Sequence, residues 1–215
     1  MPGTRGKGVL AGRFRSPAVL AIAAAVPMLG GPGHAGIRPE VQVAASRASW
    51  VVCSGYGQCA AHGHSNHGYP GHASASYWRM TAGNECTNYV AYVEARVFHA
   101  RRPRYLLGNA GQWAAAAEAH GVVVNHVPSR GAVAEWDGGA PGMGPEGHVA
   151  VVERVGRHDR YIIISQQHIG SDRDGYDWTR INAGFPAGDW QEWPDHFLHF
   201  RHRHHHRHRR RRHHR

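Results

Sequence analysis

Gly83-Asn84-Glu85-Cys86-Thr87-Asn88-Tyr89-Val90-Ala91-Tyr92-Val93-Glu94-Ala95-Arg96-Val97-Phe98 is the stretch on which the fold turns. Val90, Val93 and Val97 recur at three- and four-residue steps, with Tyr89 and Ala91 beside them, so one face is apolar at helical spacing. Gly83-Asn84 can break and cap the chain at its start, which predicts a helix with Cys86 in the first turn. A thiol placed there meets unpaired backbone N–H groups and the positive end of the helix dipole. Both favour the thiolate, which is the nucleophilic form. A buried structural cysteine is the competing reading. Gly147-His148-Val149-Ala150-Val151-Val152-Glu153 weighs against it, because a histidine heads an apolar run from which a strand can aim it at the thiol.

Three motifs in order, Asn84-Glu85-Cys86-Thr87-Asn88-Tyr89-Val90-Ala91, Gly131-Ala132-Val133-Ala134-Glu135-Trp136 and Gly147 to Glu153, resemble the cysteine, histidine-dependent amidohydrolase/peptidase (CHAP) domain. The likeness covers about residues 53–200 and looks closest to the secreted actinobacterial type, which is also similar at Cys53-Ser54-Gly55-Tyr56 and Tyr77-Trp78-Arg79-Met80. The resemblance implies an α+β, papain-like fold, with N-terminal helices packed on an antiparallel β-sheet. It also implies a hydrolase of amide bonds in the peptide part of peptidoglycan, acting as an N-acetylmuramoyl-L-alanine amidase or an endopeptidase.

The formal charge of +10 sits mostly at one end, because every residue from Arg201 to Arg215 is Arg or His and the eight arginines there carry +8 of it. That run has nothing apolar to bury and reads as a disordered tail able to hold anionic wall polymers. Nucleic acid would satisfy the same charge, but no aromatic interleaving or groove-reading motif accompanies it. Arg5, Lys7, Arg13 and Arg15 precede an apolar run from Pro17 to Leu29 that is too short to span a bilayer, and small residues follow to Ala35. Residues 1–35 are therefore expected to be a signal peptide, 36–52 a linker, 53–200 the catalytic domain and 201–215 the tail. A secreted monomer at the cell wall is expected, with no membrane span once the leader is removed.

Cys53 and Cys59 lie six apart, a spacing able to close a small disulfide ring in an oxidising compartment, which would leave Cys86 as the single free thiol. Residues 53–76 show no helical or strand period and read as a surface loop. His62, His64, His67 and His72 fall in it, but no flanking ligands complete a metal set, so neither metal nor cofactor is expected. Asn109 reads as the cap of a second helix through His120, stopped by Gly121. Beyond Val122 the texture turns to β: Val122–Val124, Ala132–Trp136, Val149–Val155, Tyr161–Gln167, Asp177–Ile181 and Phe197–Phe200. A Gly- and Pro-rich loop delivers His148. Helices followed by antiparallel strands give an α+β order.

In a Cys–His pair the histidine needs a third group on its other ring nitrogen. The resemblance implies that group in a Ser-Glu-x-Asn strand after the histidine; here Ser165-Gln166-Gln167-His168 stands in its place. Gln166 can still accept from the ring N–H, but it brings no charge to stabilise an imidazolium, which predicts a weaker or acid-shifted base. Cys86, His148 and Gln166 are the expected catalytic set, and Tyr77, Trp136 and His168 the expected substrate contacts. The oxyanion would be held by the Cys86 N–H with Asn84 or Tyr77.

Overall fold

The run His148–Val155, strand β4, is buried at its first six positions, with Val149 to Val152 a continuous apolar stretch, because both its faces are covered. The computed structural model describes residues 48–168, 174–185 and 192–200. Within them β1 (Ser49–Ser54), β2 (Val123–Asn125), β3 (Val133–Trp136), β4, β5 (Tyr161–Gln166), β6 (Asp177–Asn182) and β7 (His196–His199) form one sheet in the order β1-β6-β5-β4-β3-β7-β2. Every neighbouring pair is antiparallel. Helices α1 (Tyr56–Ala61), α2 (Cys86–Arg96) and α3 (Trp113–Glu118) complete an α+β fold. The expected leader 1–35 and tail 201–215 lie outside the described residues.

The sheet carries a core on each face. Val133, Val149, Val151 and Leu198 join the buried face of α2, where Tyr89, Val90, Ala91 and Val93 are fully enclosed. Ala134, Trp136, Ala150, Val152, Ile162, Ile164 and Ile181 form the second cluster. The period of two along each strand sorts neighbouring residues between these cores.

Two sequence expectations need correcting. Strand β1 begins at Ser49, inside the stretch read as linker to residue 52; Trp50-Val51-Val52 supplies aromatic and β-branched residues, and β6 supplies the ladder. Residues 53–76 are more than a loop: Cys53 ends in β1, Cys59 lies in α1, and the disulfide between them ties the two elements together. Tyr69 is fully buried in a 3-10 turn at Tyr69–Gly71. Asn88, two residues past the candidate nucleophile, organises this segment. Its side chain donates to Tyr69 Oη (2.9 Å) and the Ala75 carbonyl (3.0 Å) and accepts from Tyr77 N–H (2.8 Å). The chain leading into α2 is thereby fixed to α2 itself.

Candidate active site

Cys86 is the first residue of α2, after Glu85 at the N-cap, and it is the free cysteine of the described residues. The N–H groups of Val149, Thr87 and Cys86 are directed at its sulfur. His148 opens β4, one residue before the Val149 amide, so the sheet carries the imidazole to the helix N-terminus. Both residues line one cleft of about 790 Å³. Its remaining wall includes Arg79, Met80, Leu106, Met143 and Glu146, with His168 at the end of β5.

The delivery of His148 depends on a close backbone crossing. Gly147 has φ +72°, and a Cβ there would lie 2.5 Å from the Trp136 carbonyl oxygen and 2.6 Å from Gly111. The Gly111 N–H in turn donates to the Glu146 carbonyl at 2.8 Å. Asn109 and Gln112 form a capping box across this turn, as expected for a helix starting there, although its first residues are 3-10.

The electrostatics overturn one expectation. Burial pushes the Cys86 thiol up to about 11; the backbone N–H groups that favour the thiolate offset this only in part. Burial likewise lowers His148 to about 4, against the hydrogen bond that Gln166 accepts from the ring, which favours its charged form. The resting pair is thus thiol and neutral imidazole. An acid-shifted base was expected from the missing carboxylate, but its main cause is desolvation.

His148 Nε2 lies 2.9 Å from Gln166 Oε1, which leaves Nδ1 for the thiol proton. The other end of the Gln166 amide donates to Asp177 Oδ1 at 2.8 Å. His168 lines the cleft, with Nδ1 3.0 Å from Glu85 Oε2. Trp136 does not: it is fully buried, donates to the Glu192 carbonyl (2.8 Å) and lies beside the His148 ring with centroids 5.7 Å apart. Tyr77 also faces elsewhere, packing edge-on against Tyr92 of α2, because Trp78 and Arg79 turn the chain through positive φ and send Arg79 and Met80 to the cleft instead. Neither Asn84 nor Tyr77 is among the residues that line the cleft. Asp177 was missed as a site residue; its signal was a carboxylate at the head of the strand run Asp177-Trp178-Thr179-Arg180-Ile181.

Residues 75–168 match the family model described as the CHAP domain. Over that span the chain is similar to the CHAP domain. The matched span holds Cys86, His148, Gln166 and His168, and leaves β1, α1, β6 and β7 outside it. Among solved structures, an N-acetylmuramoyl-L-alanine amidase from Staphylococcus aureus is 28% identical over 55% of this chain and 30% of its own, with a TM-score of 0.44. Ly7917 with the hydrolysing product of MDP is 19% identical over 60% of this chain and 59% of its own, with a TM-score of 0.37. The chain therefore spans under two thirds of either relative. No curated protein matches it. Among the described residues no helix is long and apolar enough to cross a membrane, and no cluster of three or more His, Cys, Asp or Glu is placed to hold a metal ion.

Proposed function

We propose that this chain hydrolyses amide bonds in the peptide part of peptidoglycan, as an N-acetylmuramoyl-L-alanine amidase or an endopeptidase. The observation that carries the reading is the free Cys86 thiol at the N-terminus of α2, sharing one cleft with His148 and receiving the amide of the next residue, Val149. The thiol proton passes to His148 Nδ1 as sulfur attacks the carbonyl carbon. The C–N bond then breaks, the imidazolium returns the proton to the leaving amine, and water cleaves the thioester, regenerating the thiol. The Cys86 N–H donates to the oxyanion. Gln166 orients the ring, and His168 contacts substrate at the cleft wall.

The same reading places the protein outside the cell at the wall, after removal of residues 1–35, with Arg201–Arg215 holding anionic polymers. A neutral resting pair with Gln166 as third member supports a second reading, a catalytically weak module that binds the wall. Mass spectrometry of fragments released from purified peptidoglycan decides between them. The hydrolase yields fragments that vanish in Cys86→Ala, and their new termini name the bond. No release by either protein, with both still sedimenting with the wall, leaves the binding module.

A further inference from the structure

We propose that Asp177 is a positioning residue for His148, acting through Gln166 to decide which ring nitrogen carries the proton. The inference rests on His148 being the base of the hydrolase.

A glutamine side chain has two ends of nearly equal shape and opposite hydrogen-bonding character. What faces the far end therefore decides what the near end offers to the imidazole. Gln166 and Asp177 stand directly opposite each other in the β5–β6 register, and Thr179 follows two residues on, on the same face. Asp177 is fully buried. Its Oδ1 accepts from Gln166 Nε2 at 2.8 Å and from Thr179 Oγ1 at 2.9 Å.

An ionised carboxylate only accepts. Facing one, the Gln166 amide must turn its NH₂ outward and its carbonyl to the ring, 2.9 Å from His148 Nε2. The ring then carries its proton on Nε2, and the Nδ1 lone pair is free to take the thiol proton. With the amide reversed, an N–H would face Nε2, the proton would move to Nδ1, and the base would be blocked at the atom that must act. Burial raises the Asp177 carboxyl to about 6, which leaves it ionised at neutral pH. Its Oδ2 is buried with no hydrogen-bond partner, so the side chain is not there to satisfy the fold. Nor does it join separate elements, since β5 and β6 are already paired through their backbones from this position along to Tyr161 and Asn182. The negative charge that Gln166 lacks is thus supplied one amide further from the ring.

The test uses the full chain with ¹⁵N-labelled histidine, the His148 signals being assigned by their loss in His148→Gln. The wild type is expected to show the Nε2-protonated tautomer. Asp177→Asn, whose amide can donate to a reversed Gln166, is expected to populate the Nδ1-protonated form and to lower kcat about 10- to 100-fold with KM little changed. The double variant Gln166→Glu/Asp177→Asn moves the charge next to the ring and is expected to restore both tautomer and kcat, which a variant damaged only in folding would not do. An unchanged tautomer in Asp177→Asn overturns the proposal, as does a double variant no better than the single. If Asp177→Asn shifts the tautomer while the wild type releases no peptidoglycan fragment, the positioning role stands and the hydrolase reading fails.

Discussion

Two neighbouring residues of β5 anchor two polar clusters on opposite faces of the sheet, and the clusters differ in what they connect. On the α2 face, Tyr89 Oη donates to Ser165 Oγ (2.7 Å), Ser165 Oγ donates to Glu153 Oε1 (2.7 Å), and His67 Nε2 lies 2.6 Å from the same oxygen. On the other face, Gln166 links His148 to Asp177 and Thr179. Each cluster ends on a buried carboxylate with two donors. Glu153, however, joins the segment before Tyr69, helix α2 and two strands, whereas Asp177 joins only strands that are already paired. The first cluster holds the fold together. The second orients an amide, and through it a ring.

Breaking the first cluster is expected to cost the most stability. Glu153→Ala leaves the Ser165 hydroxyl and the His67 ring without their acceptor, a loss of about 3 kcal/mol at 1–3 kcal/mol for each stranded group. Denaturant unfolding checks it, together with peptidoglycan release measured well below the lowered midpoint. If activity collapses while the midpoint holds, the division of labour between the clusters is wrong.

The second cluster is sharpened by pH. The His148 ring stays neutral in the folded chain down to about pH 4, while in the unfolded chain it takes a proton near 6.5. Between those values the unfolded state binds more protons, so acidification through this window removes stability, about 3 kcal/mol in all. Asp177, raised to about 6, and Glu135, raised to about 8, have the opposite sign: each is protonated more readily when folded and gains stability as pH falls through its own window. The His148 contribution must therefore be read as a difference. Wild type minus His148→Gln, followed by unfolding free energy from pH 7 to 4, is expected to fall with acid; a flat difference would mean that the ring is not buried neutral.

How far these features were legible in the sequence follows their range. Helix α2, the strand runs from Val123 onward and the positions of Cys86 and His148 are local patterns of period 3.6 or 2, and all were readable. The orienting role of Gln166 was reached through resemblance; its Oε1 lies 2.9 Å from His148 Nε2. Strand β1 was missed because its partner, β6, lies more than a hundred residues away and its own run is short. Trp136 looked like a cleft residue because it precedes the His148 loop; the parity of β3 turns it inward, beside the ring. Tyr77 was misplaced because two successive non-glycine residues with positive φ, Trp78 and Arg79, reverse the chain there, a conformation no composition rule announces. The thiol state was misjudged because a helix N-terminus is visible in sequence, while the burial that opposes it is not.

The smallest effect is expected at the cleft mouth, where His168 faces Glu85 with side chains 65% and 41% exposed. A pair so open to water contributes little to folding, and His168→Ala is expected to shift the unfolding free energy by less than about 0.5 kcal/mol. Its place on the cleft wall predicts a different readout. Loss of the ring should raise KM for peptidoglycan fragments while leaving kcat near its wild-type value, because an interaction made equally in ground and transition states affects only KM. His168 also lowers the His148 pKa through its charge, after the larger effect of burial. His168→Ala should therefore move the acid limb of the kcat profile slightly upward in pH. A fall in kcat with KM unchanged would instead put His168 among the groups that act on the reacting atoms, and the contrast between a structural cluster and an orienting one would need a third member at the cleft mouth.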